Sequence, residues 1–481
     1  MLKPILAAAL LASAALAAVP AAADTNAALA RIDADRAANE AAAKAIWTFA
    51  EVGYQETRSS ALLQKRLKDA GFDVKAGVAN APTAFTASWT SGPGPVIGII
   101  GEFDALPGLS QTADPAKTVR ADASAGHGCG HHLFGVASAS AAIAVRDWMK
   151  ATGTKGTIRF YGTPAEEGGA GKVYMVRDGL FGDVDIALHW HPGSENSADI
   201  ATSNSNKSAK FRFRGISAHA AGAPERGRSA LDGVEAMNMM ANMMHEHMPE
   251  ESRMHYIITA GGNAPNVVPD FAESFYYVRN PDAEVVRETF ERLVKAAEGA
   301  AMGTGTTVDY EVIHGALPLL PNRTLQTLVH AKLGEVGGIL YTPEETAFAQ
   351  KIIPTLGQTK AKLADAALVQ PMKENHGAGS TDVGDVSWTV PTAGFSTATW
   401  VPGTPAHSWQ AVAAGGMSIG MKGMQNAAKV LALTAIDLLR KPELITAAKE
   451  EFAQRRGPDF VYRSLVGDRT PPLDYRNAPA R

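Results

Sequence analysis

The chain is poor in cysteine. Among 481 residues there is one, Cys129, so no internal disulfide can form and a disulfide scaffold is excluded. A dominant charge is missing too. Lys and Arg number 45 against 49 Asp and Glu, for a formal net charge of −4. That balance gives no support for nucleic-acid binding, which calls for a basic patch or a strongly basic chain. Beyond the first residues no apolar run is long enough to cross a bilayer. Internal repeats and long blocks of like charge are absent as well. Hydrophobic residues make up 46% and charged residues 20%, ordinary globular proportions that exclude wholesale disorder. The length suggests about two to four domains.

At the start, Lys3 precedes an apolar run from Ile5 to Val19, then Pro20, Ala21, Ala22, Ala23 and Asp24. A basic start, a short apolar stretch and a small-residue site read as a secretory signal, residues 1–23, cut after Ala23. The run is too short and too rich in Ala to serve comfortably as a membrane anchor. A soluble periplasmic or secreted protein is expected. A lone thiol in an exported protein is then either reactive or otherwise occupied.

After the signal, residues 25–51 and 57–71 read as helices. Strand-like runs follow at Thr83–Thr90 and Pro95–Phe103, the second apolar on both faces as a central parallel strand is. His131–Met149 reads as a buried Ala-rich helix, Thr157–Tyr161 as a strand, Gly169–Leu180 as a helix and Asp185–Trp190 as a strand. This alternation predicts an α/β fold with a central mixed sheet and flanking helices. From residue 207 the order becomes βαββαβ, a ferredoxin-like module. The division expected is 24–206 and 316–456 for one catalytic domain in two parts, 207–315 for the inserted domain and 457–481 for a tail that wraps the surface or is mobile. Within that tail Pro, Arg and Asp recur without periodicity. Thr392–Val401 reads as a strand and Met417–Leu439 as a long helix. The methionines 237, 239, 240, 243, 244 and 248 read as packing or a subunit contact of the inserted domain.

Three clusters carry chemistry. Gly126-His127-Gly128-Cys129-Gly130-His131-His132 offers soft and borderline metal ligands on a loop that glycines let bend. Pro164-Ala165-Glu166-Glu167-Gly168-Gly169 follows a predicted strand, where ligands bind in α/β sheets. Its adjacent carboxylates diverge, so one can hold metal while the other acts as general base. Leu188-His189-Trp190-His191-Pro192 ends another strand. Each cluster alone has an ordinary structural reading, but together they point to a metal site.

These motifs resemble a known family, the di-metal amidohydrolases and carboxypeptidases that include aminoacylase-like enzymes. The likeness extends to Glu102-Phe103-Asp104-Ala105-Leu106-Pro107, Gly215-Ile216-Ser217-Ala218-His219, Asn266-Val267-Val268-Pro269-Asp270 and Pro405-Ala406-His407-Ser408. The run Ser380-Thr381-Asp382-Val383-Gly384-Asp385-Val386-Ser387-Trp388 resembles the p-aminobenzoyl-glutamate hydrolase branch. The likeness spans roughly residues 30–440, seven motifs in order.

The resemblance implies a zinc-peptidase-like catalytic domain with two divalent metal ions, zinc or manganese, and an inserted dimerisation or lid domain. By the same resemblance Cys129, His131, Glu167, His189 and His407 are the metal ligands and Asp104 orients a ligand. Glu166 is the general base and proton shuttle. His219 stabilises the oxyanion, reaching across from a partner subunit, and Asn266 and Arg279 meet the substrate. Two positions depart from the family pattern: Glu102 stands where Asp or a ligating His is usual, and His132 where relatives carry Asp or Asn. Both bear on how many metals bind.

The expected reaction is hydrolysis of an amide between an acyl or aminoacyl group and an amino acid, by a homodimer. Three rivals are open to test. One is a cysteine hydrolase pairing Cys129 with His131 or His127. Another is a serine hydrolase on Gly416-Met417-Ser418-Ile419-Gly420, which lacks a convincing preceding strand. The last is a periplasmic metal- or ligand-binding protein, for which Glu166 and His219 would have no use.

Overall fold

The structure, a computed structural model, describes residues 21–476, with side chains from Thr25 onward. Apart from its last three residues, which begin a helix at Ala21, the expected signal segment lies outside the described residues, as do residues 477–481 of the tail.

The main layer is a six-stranded mixed sheet. Its order is Asp73–Ala76, Phe85–Gly92, Gly156–Thr163, Val96–Glu102, Ile186–Leu188 and Thr392–Ala393. The first two pairings are antiparallel and the last three parallel. Val96–Glu102 sits inside the sheet and is apolar on both faces, with Ile97, Ile99 and Ile100 fully buried. Two Ala-rich helices, His131–Thr152 and Ser418–Arg440, pack against each other behind it. Small side chains let their backbones approach, and Gly153 in the left-handed region (φ 71°) ends the first. Phe85 and Phe160 stack at 5.5 Å in this core. Each such side chain contributes roughly 1.5–3 kcal/mol by burial.

The expected strand Thr392–Val401 is two pieces. Thr392–Ala393 joins the main sheet, while Ser396–Ala398 pairs with His191–Gly193. The expected strand Asp185–Trp190 shortens in parallel to Ile186–Leu188. Both chains step out of the sheet together, and the His189 ring packs on the Gly394 backbone at the step. A last helix, Pro442–Arg456, buries only Ile445, Ala448 and Phe452, too sparse a face for periodicity to reveal.

Between the two parts of the main layer lies a four-stranded antiparallel sheet. Its order is Arg253–Ala260, Phe271–Asn280, Ser205–Arg214 and Thr307–Ala316. Helices Ala230–Met244 and Ala283–Thr304 cover one face. Ser229 and Asp282 cap them, each side chain accepting from a backbone N–H of the first turn. The module has its own core, built on Phe211, Phe213, Tyr276, Phe290 and Leu293. Met237 belongs to that core, whereas Met239 and Met243 are exposed beside the edge strand with Ile257 and Ile258.

The tail wraps the surface. Phe460 stacks on Trp388 at 4.6 Å, Tyr462 donates to Asp385 at 2.7 Å, and Arg469 pairs with Glu311 of the inserted sheet at 2.7 Å. Among the described residues no helix is long and apolar enough to cross a membrane.

Candidate metal centre and active site

The site lies where the parallel strands end. Val96–Glu102 delivers Glu102 and Asp104, Gly156–Thr163 leads to Glu166 and Glu167, and Ile186–Leu188 leads to His191. Cys129 arrives on the glycine loop, where Gly130 (φ 74°) turns the chain into the helix that begins with His131. A side chain with a Cβ rarely adopts that φ. His407 itself has φ 58°, and Ala165 and Ala170 on either side of the paired glutamates have φ 55° and 57°. Left-handed backbone at non-glycine residues is costly and clusters at functional sites.

Three groups of ligand atoms converge, each within 4.8 Å: Cys129 with His131 and His191, Cys129 with Glu167 and His407, and Glu102 with His131 and Glu166. Cys129 belongs to the first two, as a sulfur shared between two ions would. Several buried polar atoms there have no hydrogen-bond partner among the described residues, namely Glu167 Oε1, His131 Nε2 and Glu102 Oε2. The last two face each other at 3.0 Å without hydrogen-bond geometry. Buried polar atoms left unpaired are costly, and this set of thiol, imidazole and carboxylate suits a transition-type divalent cation. The residues therefore fit the two metal ions that the sequence motifs imply.

Asp104 lies against members of these groups. Its Oδ1 lies 2.9 Å from His131 Nδ1, and its Oδ2 accepts from the Glu167 backbone N–H at 2.9 Å. One carboxylate thus fixes the ring of one ligand and the backbone of another. Burial works against charge on His131, but Glu102 and Asp104 overcome it and raise its pKa to about 10. Glu166 is pushed well above the usual carboxylate range, first by burial and then by Glu102 and Glu167.

His189 lies apart from the three ligand groups, and His191 takes part in one of them. The strand ends at Leu188, and His191 opens a new strand against Ser396. Across that step only the second histidine reaches Cys129. His189 instead lines a neighbouring cavity with Glu195, Ser197 and Phe395. Two alternating histidines before a proline were the only signal in the sequence, and they did not distinguish the pair.

Lys172 and Asp382 escape sequence reasoning. Lys172 is fully buried. Its Nζ pairs with Glu102 Oε1 at 2.7 Å and with Asp382 Oδ1 at 2.6 Å. Glu102 thus lies between a buried ammonium and the imidazole of His131. Removing one member of such a buried set leaves an uncompensated charge. The lone Lys in the apolar run Gly171–Val176 was the available hint.

His132 is structural. It is fully buried, its Nε2 lies 2.9 Å from the Gly415 carbonyl, and its ring packs at a tilt against His127 at 4.8 Å. His127 Nε2 in turn meets the Ile46 carbonyl at 3.1 Å, so it is not placed as a base for Cys129. Burial, with Glu167 and Glu166, pushes the Cys129 thiol up, opposite to what a thiolate nucleophile needs. Ser418 begins a helix preceded by another helix, Trp409–Gly415, rather than a strand, so no nucleophile elbow exists there.

The cavity over the centre has a volume of about 720 Å³, and its far wall comes from the inserted sheet, including Asn206, His255, Tyr277, Arg279 and His314. Arg279 is thus brought to the site. His219 and Asn266 are not. Both are exposed, and their segments meet each other, with Ala220 N–H donating to the Asn266 carbonyl at 3.0 Å. The His219 ring accepts from Gly222 N–H at 2.9 Å.

A sequence model of peptidase family M20/M25/M40 matches residues 98–411. Over 454 residues the chain is 42% identical to one of the subunits of p-aminobenzoyl-glutamate hydrolase from Escherichia coli (strain K12), covering 88% of this chain and 93% of that protein. It is 30% identical over 430 residues to Xaa-Arg dipeptidase of Mus musculus, covering 86% and 88%. Among solved structures, an aminobenzoyl-glutamate utilization protein from Klebsiella pneumoniae aligns with a TM-score of 0.58 at 18% identity, covering 84% of this chain and 97% of that one. A dinuclear metal-binding peptidase of the M20 family from Bacillus subtilis aligns at 0.56 and 16% identity, covering 85% and 99%. At those identities the structural likeness is one of fold.

Proposed function

The chain belongs to peptidase family M20/M25/M40 and is a metal-dependent amide hydrolase; from that premise we propose that it cleaves the amide between an acyl group and an amino acid, with p-aminobenzoyl-glutamate the leading candidate. The observation that carries this reading is the pair of ligand groups sharing Cys129 beside a half-buried carboxyl, Glu166, of raised pKa.

Cys129, His131 and His191 would hold one ion, and Cys129, Glu167 and His407 the other. Bound divalent metal, zinc or manganese, would supply Lewis-acid polarisation of the amide carbonyl and acidification of water. Glu166 takes a proton from the attacking water and returns it to the departing amine. One carboxylate serves both steps because each leaves it in the state the next requires. Asp104 keeps the His131 ring in place, and Lys172 holds Glu102 against that ring. Arg279 meets the carboxylate of the amino-acid portion.

His219 and Asn266 complete the site from a second copy of the chain. The exposed edge strand Arg253–Ala260, with Ile257 and Ile258 flanked by Met239 and Met243, offers the surface for that homodimer, since edge strands and apolar patches favour pairing. Export through residues 1–23 to the periplasm or exterior belongs to the same reading and rests on the sequence alone.

The test is to strip metal by chelation and assay a panel of N-acyl amino acids that includes p-aminobenzoyl-glutamate. Zinc or manganese is then restored in turn. Hydrolysis should vanish and return with the ion. Hydrolysis that survives chelation, or none across the panel with metal restored, would overturn the reading.

A further inference from the structure

The tail does not stop at the surface. Its described end enters the cavity over the metal centre. Tyr475 packs edge-on against Tyr54 at 6.0 Å, and its hydroxyl donates to the Glu167 main-chain carbonyl at 3.1 Å. That anchor delivers Arg476, whose Nη2 donates to the same carbonyl and whose guanidinium lines the cavity. Arg279 lines it from the inserted sheet, with its guanidinium carbon 5.3 Å from the Tyr277 ring centre. Both arginines lie near Tyr277. A Cβ built on Gly168 would lie 3.4 Å from the Tyr277 hydroxyl and 3.9 Å from Arg476 Nη2.

The charges in this cavity do not balance internally. Its lining carboxylates are Glu166 and Glu167, and both are committed to the metal centre and its water. Arg476 uses the Glu167 carbonyl, not its carboxylate. The Nε atoms of Arg279 and Arg476 are both buried and without a hydrogen-bond partner among the described residues. Guanidinium groups recognise carboxylates through two parallel N–H donors, and such pairs strengthen when water is excluded. Two part-buried guanidiniums with spare donors therefore call for two anionic groups from the ligand.

We infer that Arg476, carried in by the C-terminal strap, is a specificity-determining residue that binds a second carboxylate on the amino-acid portion of the substrate. The site is thereby selective for amides of dicarboxylic amino acids. This deepens the proposed amide hydrolysis and rests on it, with Arg279 taking the first carboxylate and Arg476 the second.

The test compares p-aminobenzoyl-glutamate with p-aminobenzoyl-glutamine, which differ only in the second carboxylate. Wild type should favour glutamate by about 10-fold or more in kcat/KM. Arg476→Gln should bring that ratio to about one by raising KM for the glutamate substrate while kcat holds, and Arg476→Lys should restore part of it. Equal losses on both substrates would make Arg476 a structural clasp and overturn the inference, as would a wild type without preference. If wild type hydrolyses neither, the proposed activity fails, and calorimetric titration of metal-replete protein with glutarate decides the inference separately. Binding weakened about 10-fold or more in Arg476→Gln supports it, and unchanged or absent binding overturns it.

Discussion

The main layer and the inserted module treat their functional residues differently. In the main layer several such side chains are held by others. Asp104 holds His131 and the Glu167 backbone, Glu102 bridges His131 and Lys172, and Lys172 is fixed by Asp382. In the module, Arg279 reaches the cavity, while His219 and Asn266 stand exposed with only local backbone partners. A metal centre needs several donors within a few ångströms at once, and strand ends of one sheet provide that rigidity. Groups that act on the substrate after it binds can be held apart on a second element and brought in by closure or by another copy.

The strongest challenge to this division is Glu166→Gln. If the main layer contains the proton-transfer group, kcat should fall about 10³-fold while bound metal, measured by elemental analysis, stays constant. Near-normal turnover would take the base out of the main layer.

Next comes the histidine pair, which asks how finely the strand step selects its ligand. His191→Ala should weaken metal binding by about 100-fold or more, beyond the cost usual for residues that only orient a ligand. His189→Ala should leave affinity within a few-fold. Competition with a chromogenic chelator reads both, and the reverse order would restore His189 as the ligand.

His219→Ala sharpens the other half of the contrast. As an oxyanion donor it should cost about 10²-fold in kcat without altering metal content. If it acts across a dimer, mixing this variant with Glu166→Gln should regenerate hybrid dimers with one intact site and recover activity. Absence of recovery in confirmed hybrids would place His219 in its own chain's site.

Much of the fold was legible because periodicity is local. The both-face apolar run Val96–Glu102, the Ala-rich helix His131–Thr152 and the βαββαβ order of the module all follow from spacing along the chain. What spacing missed were steps where the chain leaves a sheet. Thr392–Val401 reads as one strand yet splits around Gly394, where the imidazole of His189 leaves no room for a Cβ.

The site divides in the same way. Ligand types and motif order are written in the sequence, since thiol, imidazole and carboxylate chemistry belongs to the residues themselves. Cys129 was marked by its solitude, and its position in two ligand groups gives that solitude a physical meaning. The choice of His191 over His189, the burial of Lys172 between Glu102 and Asp382, and the return of Arg476 from the far end of the chain were decided only by tertiary structure. Each depends on which atoms meet across long stretches of chain, or on a local backbone step, and neither is encoded in local spacing.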